Sequence, residues 1–270
     1  NVGTLEMQRF SQSDDDFEAR VCALTAPMEA LDPNLVRSVR DIIAEVRSRG
    51  DQALLDFTRR FDQHPAESLS ELVFESDTLK AFESQMTAAE RAAITEAAQR
   101  IRSYHEEQIT PDWSITDEHG SQLGQRVRPM RRVGLYVPGG KASYPSSVLM
   151  NTIPAKVAGV AEVVMVAPTP SGQVNPLVLA AASLAGVDQV VTVGGAQAVA
   201  ALAYGTESIR AVDKIAGPGN RYVAEAKRQV FGKVGIDMIA GPSEIFVIAD
   251  GTVDPDWIAL DLMSLSLIHI

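Results

Sequence analysis

The chain has 270 residues and is 46% hydrophobic, enough to build one large core or two medium ones. Its 24 basic and 35 acidic residues give a formal charge of −11, which argues against nucleic acid or an anionic membrane as the main partner. Cys22 stands alone, which excludes an internal disulfide and fits a reducing compartment.

The longest apolar stretches, such as Val157 to Ala167, are broken by Glu or Gly and are too short to span a bilayer. No basic stretch followed by an apolar run opens the chain, so a soluble cytoplasmic protein is expected. It begins at Asn1 rather than methionine, and its start is expected to lie upstream.

The first hundred residues read as helical. Asp32-Pro33 supplies a cap and a first-turn proline, and Leu35, Val36, Val39, Ile42, Ile43 and Val46 keep one apolar face up to Gly50. A second helix is expected from Asp51, with Leu54, Leu55 and Phe57 inward and Phe61 closing it. Thr87-Ala-Ala-Glu90 is a capping box opening a long helix with Ile94, Ala97, Ile101 and Tyr104 on one stripe. Alternation through Leu123, Gln125, Val127 and Pro129, after Gly120, suggests a hairpin or an extended crossing.

From Val133 the pattern becomes strand, turn, helix, repeated. Strands are expected at 132–137, 162–167, 189–193, 212–215 and 244–249, with helices at 145–159, 175–185, 196–204 and 220–231. That alternation marks βαβ units and a parallel sheet, an α/β fold behind an N-terminal helical region.

Four of the turns are glycine-rich: Gly134-Leu-Tyr-Val-Pro-Gly-Gly140, Gly194-Gly-Ala-Gln-Ala198, Gly217-Pro-Gly-Asn220 and Gly241-Pro-Ser-Glu244. Glycine lets backbone N–H groups approach a ligand, and in an open parallel sheet such turns gather at the carboxyl ends of the strands. A nucleotide-type ligand is the leading expectation; simple tight βα connections are the plain alternative for any single turn.

Neither standard phosphate motif fits. Lys141 lacks the glycine five residues before its neighbour and is followed by Ala142, so the ATP-binding P-loop register fails. Gly217-Pro-Gly-Asn-Arg-Tyr222 begins like the dinucleotide fingerprint but places Tyr222 where the third glycine belongs. The acid at Asp237 has plausible spacing but precedes Met238-Ile-Ala rather than ending a second strand. A dinucleotide site here must therefore be non-standard, using turn amides and side chains.

Within the turns, Tyr136 suits stacking on a base or ring, or a half-buried strand position. Gln197 and Asn220 suit hydrogen bonds to a ribose or an amide, and Asn220 equally suits a helix cap. His64, His105, His119 and His269 have no mutual metal-ligand spacing. Arg126, Arg128, Arg131 and Arg132 read as a solvated strand face, with anion binding the minority reading.

Read together, the motifs at 134–142, 193–198, 212–220 and 236–244 resemble the histidinol dehydrogenase family, strongly over 133–262 and weakly back to Leu35. The resemblance implies a zinc-dependent homodimer that oxidises L-histidinol to L-histidine through an aldehyde, passing two hydrides to two NAD molecules. It also implies incomplete Rossmann-like sheets of the aldehyde dehydrogenase-like type. By motif position Tyr136, Gln197 and Asn220 would contact NAD, and Ser243 the substrate. The expected division is 1–128 as the mainly helical part of a first domain, 129–240 as the NAD-side domain, and 241–270 as a return into the first.

The family pattern departs after Asp-Leu-Met-Ser at 261–264. The family continues with Gln-Ala-Glu-His, whose Gln and His bind zinc; here those positions are Leu265 and Ile268, neither a usual zinc ligand. His269 is one residue out of register, about 100° around a helix. A truncation or shifted frame at Leu265, no catalytic or metal residues within the chain, and an inactive product are expected. A non-catalytic nucleotide-binding module and a non-functional fragment are the rival readings.

Overall fold

The structure is a computed structural model that describes residues 11–25, 32–139, 144–239 and 245–263. Helix α1 (Phe17–Thr25) precedes the long α2 (Pro33–Asp62). Asp32 caps α2 through the Asn34 amide, and Pro33 opens it; Gly50 breaks its path at φ 52, where two helices were expected. Strand β1 (Val73–Glu75) leads into α3 (Ser76–Glu83) and α4 (Ala88–Glu106). The Thr87–Glu90 capping box forms as expected, while Tyr104 is exposed rather than part of the buried stripe.

An antiparallel hairpin follows, β2 (Trp113–Thr116) with β3 (Gln122–Gln125). Its turn is closed by the Asp117 carboxylate, which accepts the His119 and Ser121 amides.

The alternating part then runs β4 (Arg132–Tyr136), α5 (Pro145–Val157), β5 (Glu162–Val166), α6 (Pro176–Ala185), β6 (Gln189–Val191), α7 (Gly195–Tyr204), β7 (Lys214–Ala216), α8 (Arg221–Val230) and β8 (Gly235–Ile236). Helix α9 (Pro255–Met263) is the last described element and buries none of its residues.

The sheet order is β1-β6-β5-β4-β7-β8, with β1 antiparallel to β6 and every other pair parallel. Taking β4 as the first parallel strand, the order is third, second, first, fourth, fifth. This is the order of doubly wound dinucleotide-binding sheets, and it reverses between β4 and β7. Helices α5 and α6 cover one face together with α3 and α4; α2, α7 and α8 cover the other. Segments on both sides of residue 129 thus meet in one layered unit, because β1 pairs with β6 and α2 packs against α7 and α8.

Two differences from the sequence expectation stand out. Residues 245–250 carry no strand; Phe246 and Ile248 are 88% and 87% exposed, and a strand needs a neighbour for its backbone groups. Conversely, β1 and β8 are strands of three and two residues, too short to leave a period in the sequence.

Candidate active site at the carboxyl edge

At the amino edge of the sheet the charges hold one another. Asp213 accepts the amides of Arg131 and Arg132 at 3.0 and 2.9 Å. Asp188 accepts the Val163 amide and the Lys156 ammonium, both at 2.7 Å. Glu162 pairs with Arg132 and Arg210. The arginine run is therefore not a uniform solvated face: Arg132 is buried, and burial holds its pKa below the usual value. Arg128 pairs with Asp112 on the exposed hairpin side.

The carboxyl edge is built differently. The turns after β4, β5 and β6 lean on one another through Pro168. A side chain at Gly139 would meet the Pro168 carbonyl oxygen, and one at Gly194 the Pro168 ring. Tyr136 ends β4 with its ring buried, and its hydroxyl accepts the Gly195 amide at 3.0 Å, fixing the entry into α7. Burial pushes the phenol up to about 12, with the nearby Asp62 charge adding to the effect. It stays protonated, and its O–H remains available as a donor.

Gln197 sits in the first turn of α7 and is buried, with no side-chain hydrogen bond among the described residues. Its carboxamide folds over Gly195, whose φ of +67° disfavours a larger residue. The Ala196 and Gln197 amides have no backbone acceptor among the described residues, as first-turn donors of a helix do not.

The turn after β7 is held by an ion pair between the buried Lys227 and the part-exposed Asp237. Asp237 accepts the Gly217 amide at 2.8 Å and the Met238 amide at 2.7 Å and pairs with Lys227; Lys227 also donates to the Gly217 carbonyl at 3.0 Å. Burial pushes the Asp237 carboxyl up, but the Lys227 ammonium and the two amides outweigh it and hold it below its ordinary value. Asp237 directly follows β8, so it does end a second strand, contrary to the sequence reading. Its carboxylate is nevertheless turned inward.

Gly217 adopts φ +119°, and a side chain there would strike the Tyr136 carbonyl oxygen. The ends of β4 and β7 therefore touch at the point where the strand order reverses. Asn220 caps α8, its Oδ1 accepting the Tyr222 and Val223 amides at 2.9 and 3.2 Å. The cap reading of Asn220 is realised; its exposed Nδ2 has no partner among the described residues.

Beside these turns lies a cavity of about 410 Å³, lined by Pro138, Gly139, Pro168, Thr169, Gln173 and Asn175 among others. That volume is in the range of small-molecule sites. The hydroxyl of Thr169 in its wall is buried and has no partner among the described residues. The structure thus places Tyr136 at the end of β4, Gln197 in the first turn of α7 and Asn220 at the cap of α8, all at one edge. Ser243, Leu265, Ile268 and His269 lie outside the described residues.

Sequence reasoning missed Lys227, Pro168 and Asp62. Lys227 has helix-surface spacing, and only the β7 turn it reaches shows its role.

No group of three or more His, Cys, Asp or Glu able to hold a metal occurs among the described residues. No described helix is long and apolar enough to cross a membrane.

Comparison with known proteins adds to this geometry. The family model described as Histidinol dehydrogenase matches residues 27–266. The protein named histidinol dehydrogenase from Pseudomonas aeruginosa is 59% identical over 258 residues, covering 96% of this chain and 59% of that protein. The one from Chromobacterium violaceum is 58% identical over the same span. The chain therefore spans about three-fifths of the length of these curated relatives. A crystal structure of histidinol dehydrogenase from Elizabethkingia anophelis superposes with a TM-score of 0.79 at 36% identity, covering 89% of this chain and 55% of that one.

Proposed function

The chain belongs to the histidinol dehydrogenase family, and on that premise we propose that it supplies an NAD-binding wall for the oxidation of L-histidinol to L-histidine through an aldehyde. Two NAD molecules would each take one hydride. One observation carries this reading: Tyr136 at the end of β4, Gln197 in the first turn of α7 and Asn220 capping α8 all lie at the carboxyl edge, where the order reverses between β4 and β7. That is where open parallel sheets bind dinucleotides.

The residues present fit such a ligand. A chain of formal charge −11 needs local donors to hold a pyrophosphate, and the first-turn amides of α7 with its dipole supply them. Asn220 offers its Nδ2, Gln197 its carboxamide, and the Tyr136 phenol an O–H proton retained at neutral pH. Bound NAD would supply the hydride acceptor; these groups orient it.

Ser243 is proposed as a substrate contact. The fold assignment as incomplete Rossmann-like units of aldehyde dehydrogenase-like kind, the three-part division at 129 and 241, and a homodimer belong to the same proposal. Zinc finds no ligand group of three or more His, Cys, Asp or Glu among the described residues.

The test is calorimetric titration of the 270-residue chain with NAD, beside Asn220→Ala. Saturable binding weakened by the substitution supports the reading. Absence of NAD binding by a monodisperse, folded chain sinks it.

A further inference from the structure

The acid that spacing nominates for a ribose is already engaged by Lys227 and two amides. Another carboxylate at the same edge is not. Asp62 is the last residue of α2, and Gln63 turns the chain away from it at φ 51. The segment that follows reaches the turn after β5: a side chain at Gly172 would touch Pro65 and come near the His64 ring. Asp62 is thereby set at the carboxyl edge, on the face that holds Tyr136 and α7.

Its Oδ2 is sealed from solvent and accepts no hydrogen bond, and no ion pair reaches it among the described residues. The neighbouring cations are turned elsewhere. Arg59 donates to the Ala66 carbonyl, and Arg60 lies over the Phe61 ring. A helix C-terminus carries partial negative charge, so a carboxylate at that position is disfavoured by the dipole as well.

Burial raises its pKa, and its charge is felt at the Tyr136 phenol. A buried acceptor without a donor costs stability, and such groups cluster where a ligand completes them.

We propose that Asp62 is a ligand-positioning carboxylate that accepts a ribose hydroxyl of the dinucleotide and disfavours a phosphate in that place. It takes the part that the acid ending a second strand plays in standard dinucleotide sheets, delivered here from the end of a helix. The assignment rests on the NAD reading above. Asp62 as a whole is half-buried, so a hydroxyl can donate to its carboxylate; a 2′-phosphate would bring like charge against it.

The experiment pairs thermal melting with calorimetric titration by NAD and NADP, for the unaltered chain, Asp62→Asn and Asp62→Ser. The substitutions should raise the melting temperature of the ligand-free chain, because a half-buried charge with an unpartnered oxygen is removed. They should weaken NAD by about tenfold, as loss of a hydrogen bond to a charged group does. They should also narrow the preference for NAD over NADP, a ratio that a merely structural role would leave unmoved. Unchanged NAD affinity, or an unchanged preference, overturns the assignment while leaving the NAD reading standing. Failure of the unaltered chain to bind NAD removes both.

Discussion

The two edges of this sheet use the same residue types to opposite ends. At the amino edge Glu162, Asp188 and Asp213 each have partners supplied by the protein, either ammonium and guanidinium groups or the amides that open β4 and β5. At the carboxyl edge one ion pair, Lys227 with Asp237, is used to lock a turn, while Asp62, Thr169, Gln197 and the Nδ2 of Asn220 keep unmet capacity. The amino edge is not fully saturated, since Arg132 Nε and Gln189 Oε1 are also buried without a hydrogen-bond partner among the described residues, but the carboxyl edge has a cavity of about 410 Å³ beside it with the Thr169 hydroxyl in its wall. One edge reads as structural and the other as a site.

Substitutions should separate the edges, and the largest effect belongs to the pair that locks the β7 turn. Lys227→Met leaves an Asp237 side chain that is 30% exposed without its cation and removes the bond to the Gly217 carbonyl, and should cost about 2.5 kcal/mol in chemical denaturation, with NAD binding weakened as the turn relaxes. Asp237 also sets a pH dependence. Its folded pKa lies below the ordinary 3.8, so its stabilisation is complete above that value and fades as pH falls through the lower folded one. Denaturation midpoints measured against pH should lose that acid limb in Lys227→Met.

Gly217→Ala places a Cβ at positive φ and against the Tyr136 carbonyl, and should cost about 2 kcal/mol together with NAD affinity. Asp213→Ala sharpens the contrast from the other side. It frees two amides at the amino edge and should cost about 1.5 kcal/mol, yet leave NAD affinity unchanged by calorimetry. Weakened NAD binding there would break the division between the edges. Asn220→Ala removes a cap worth about 1 kcal/mol and should lower both melting temperature and NAD affinity.

Much of this was legible in the sequence because it repeats. The strands from Arg132 to Val191 and the helices between them announce themselves through apolar runs closed by glycine, and the Thr87 box marks its helix outright. Tyr136, Gln197 and Asn220 can be nominated from the sequence because they sit within the glycine-rich motifs. What stayed hidden depends on contacts far along the chain. Asp237 was discounted because β8 is only two residues long, and a strand that short has no pattern of its own. Lys227 looks like any basic residue on a helix until the β7 turn arrives beside it. Asp62 gives no local signal at all, since its significance is the lack of a partner in a place where the fold buries it. The expected strand at 244–249 failed for the complementary reason: its apolar residues are present, but no described strand pairs with residues 245–250.

Hydrogen exchange of the 270-residue chain with and without NAD tests the division of the two edges most directly. Added protection is predicted in peptides covering Val137–Gly139, Gly194–Gln197 and Gly217–Val223, with none in those covering Pro129–Arg131 and Arg210–Asp213. Protection confined to the amino-edge peptides, or spread equally over both edges, would contradict it.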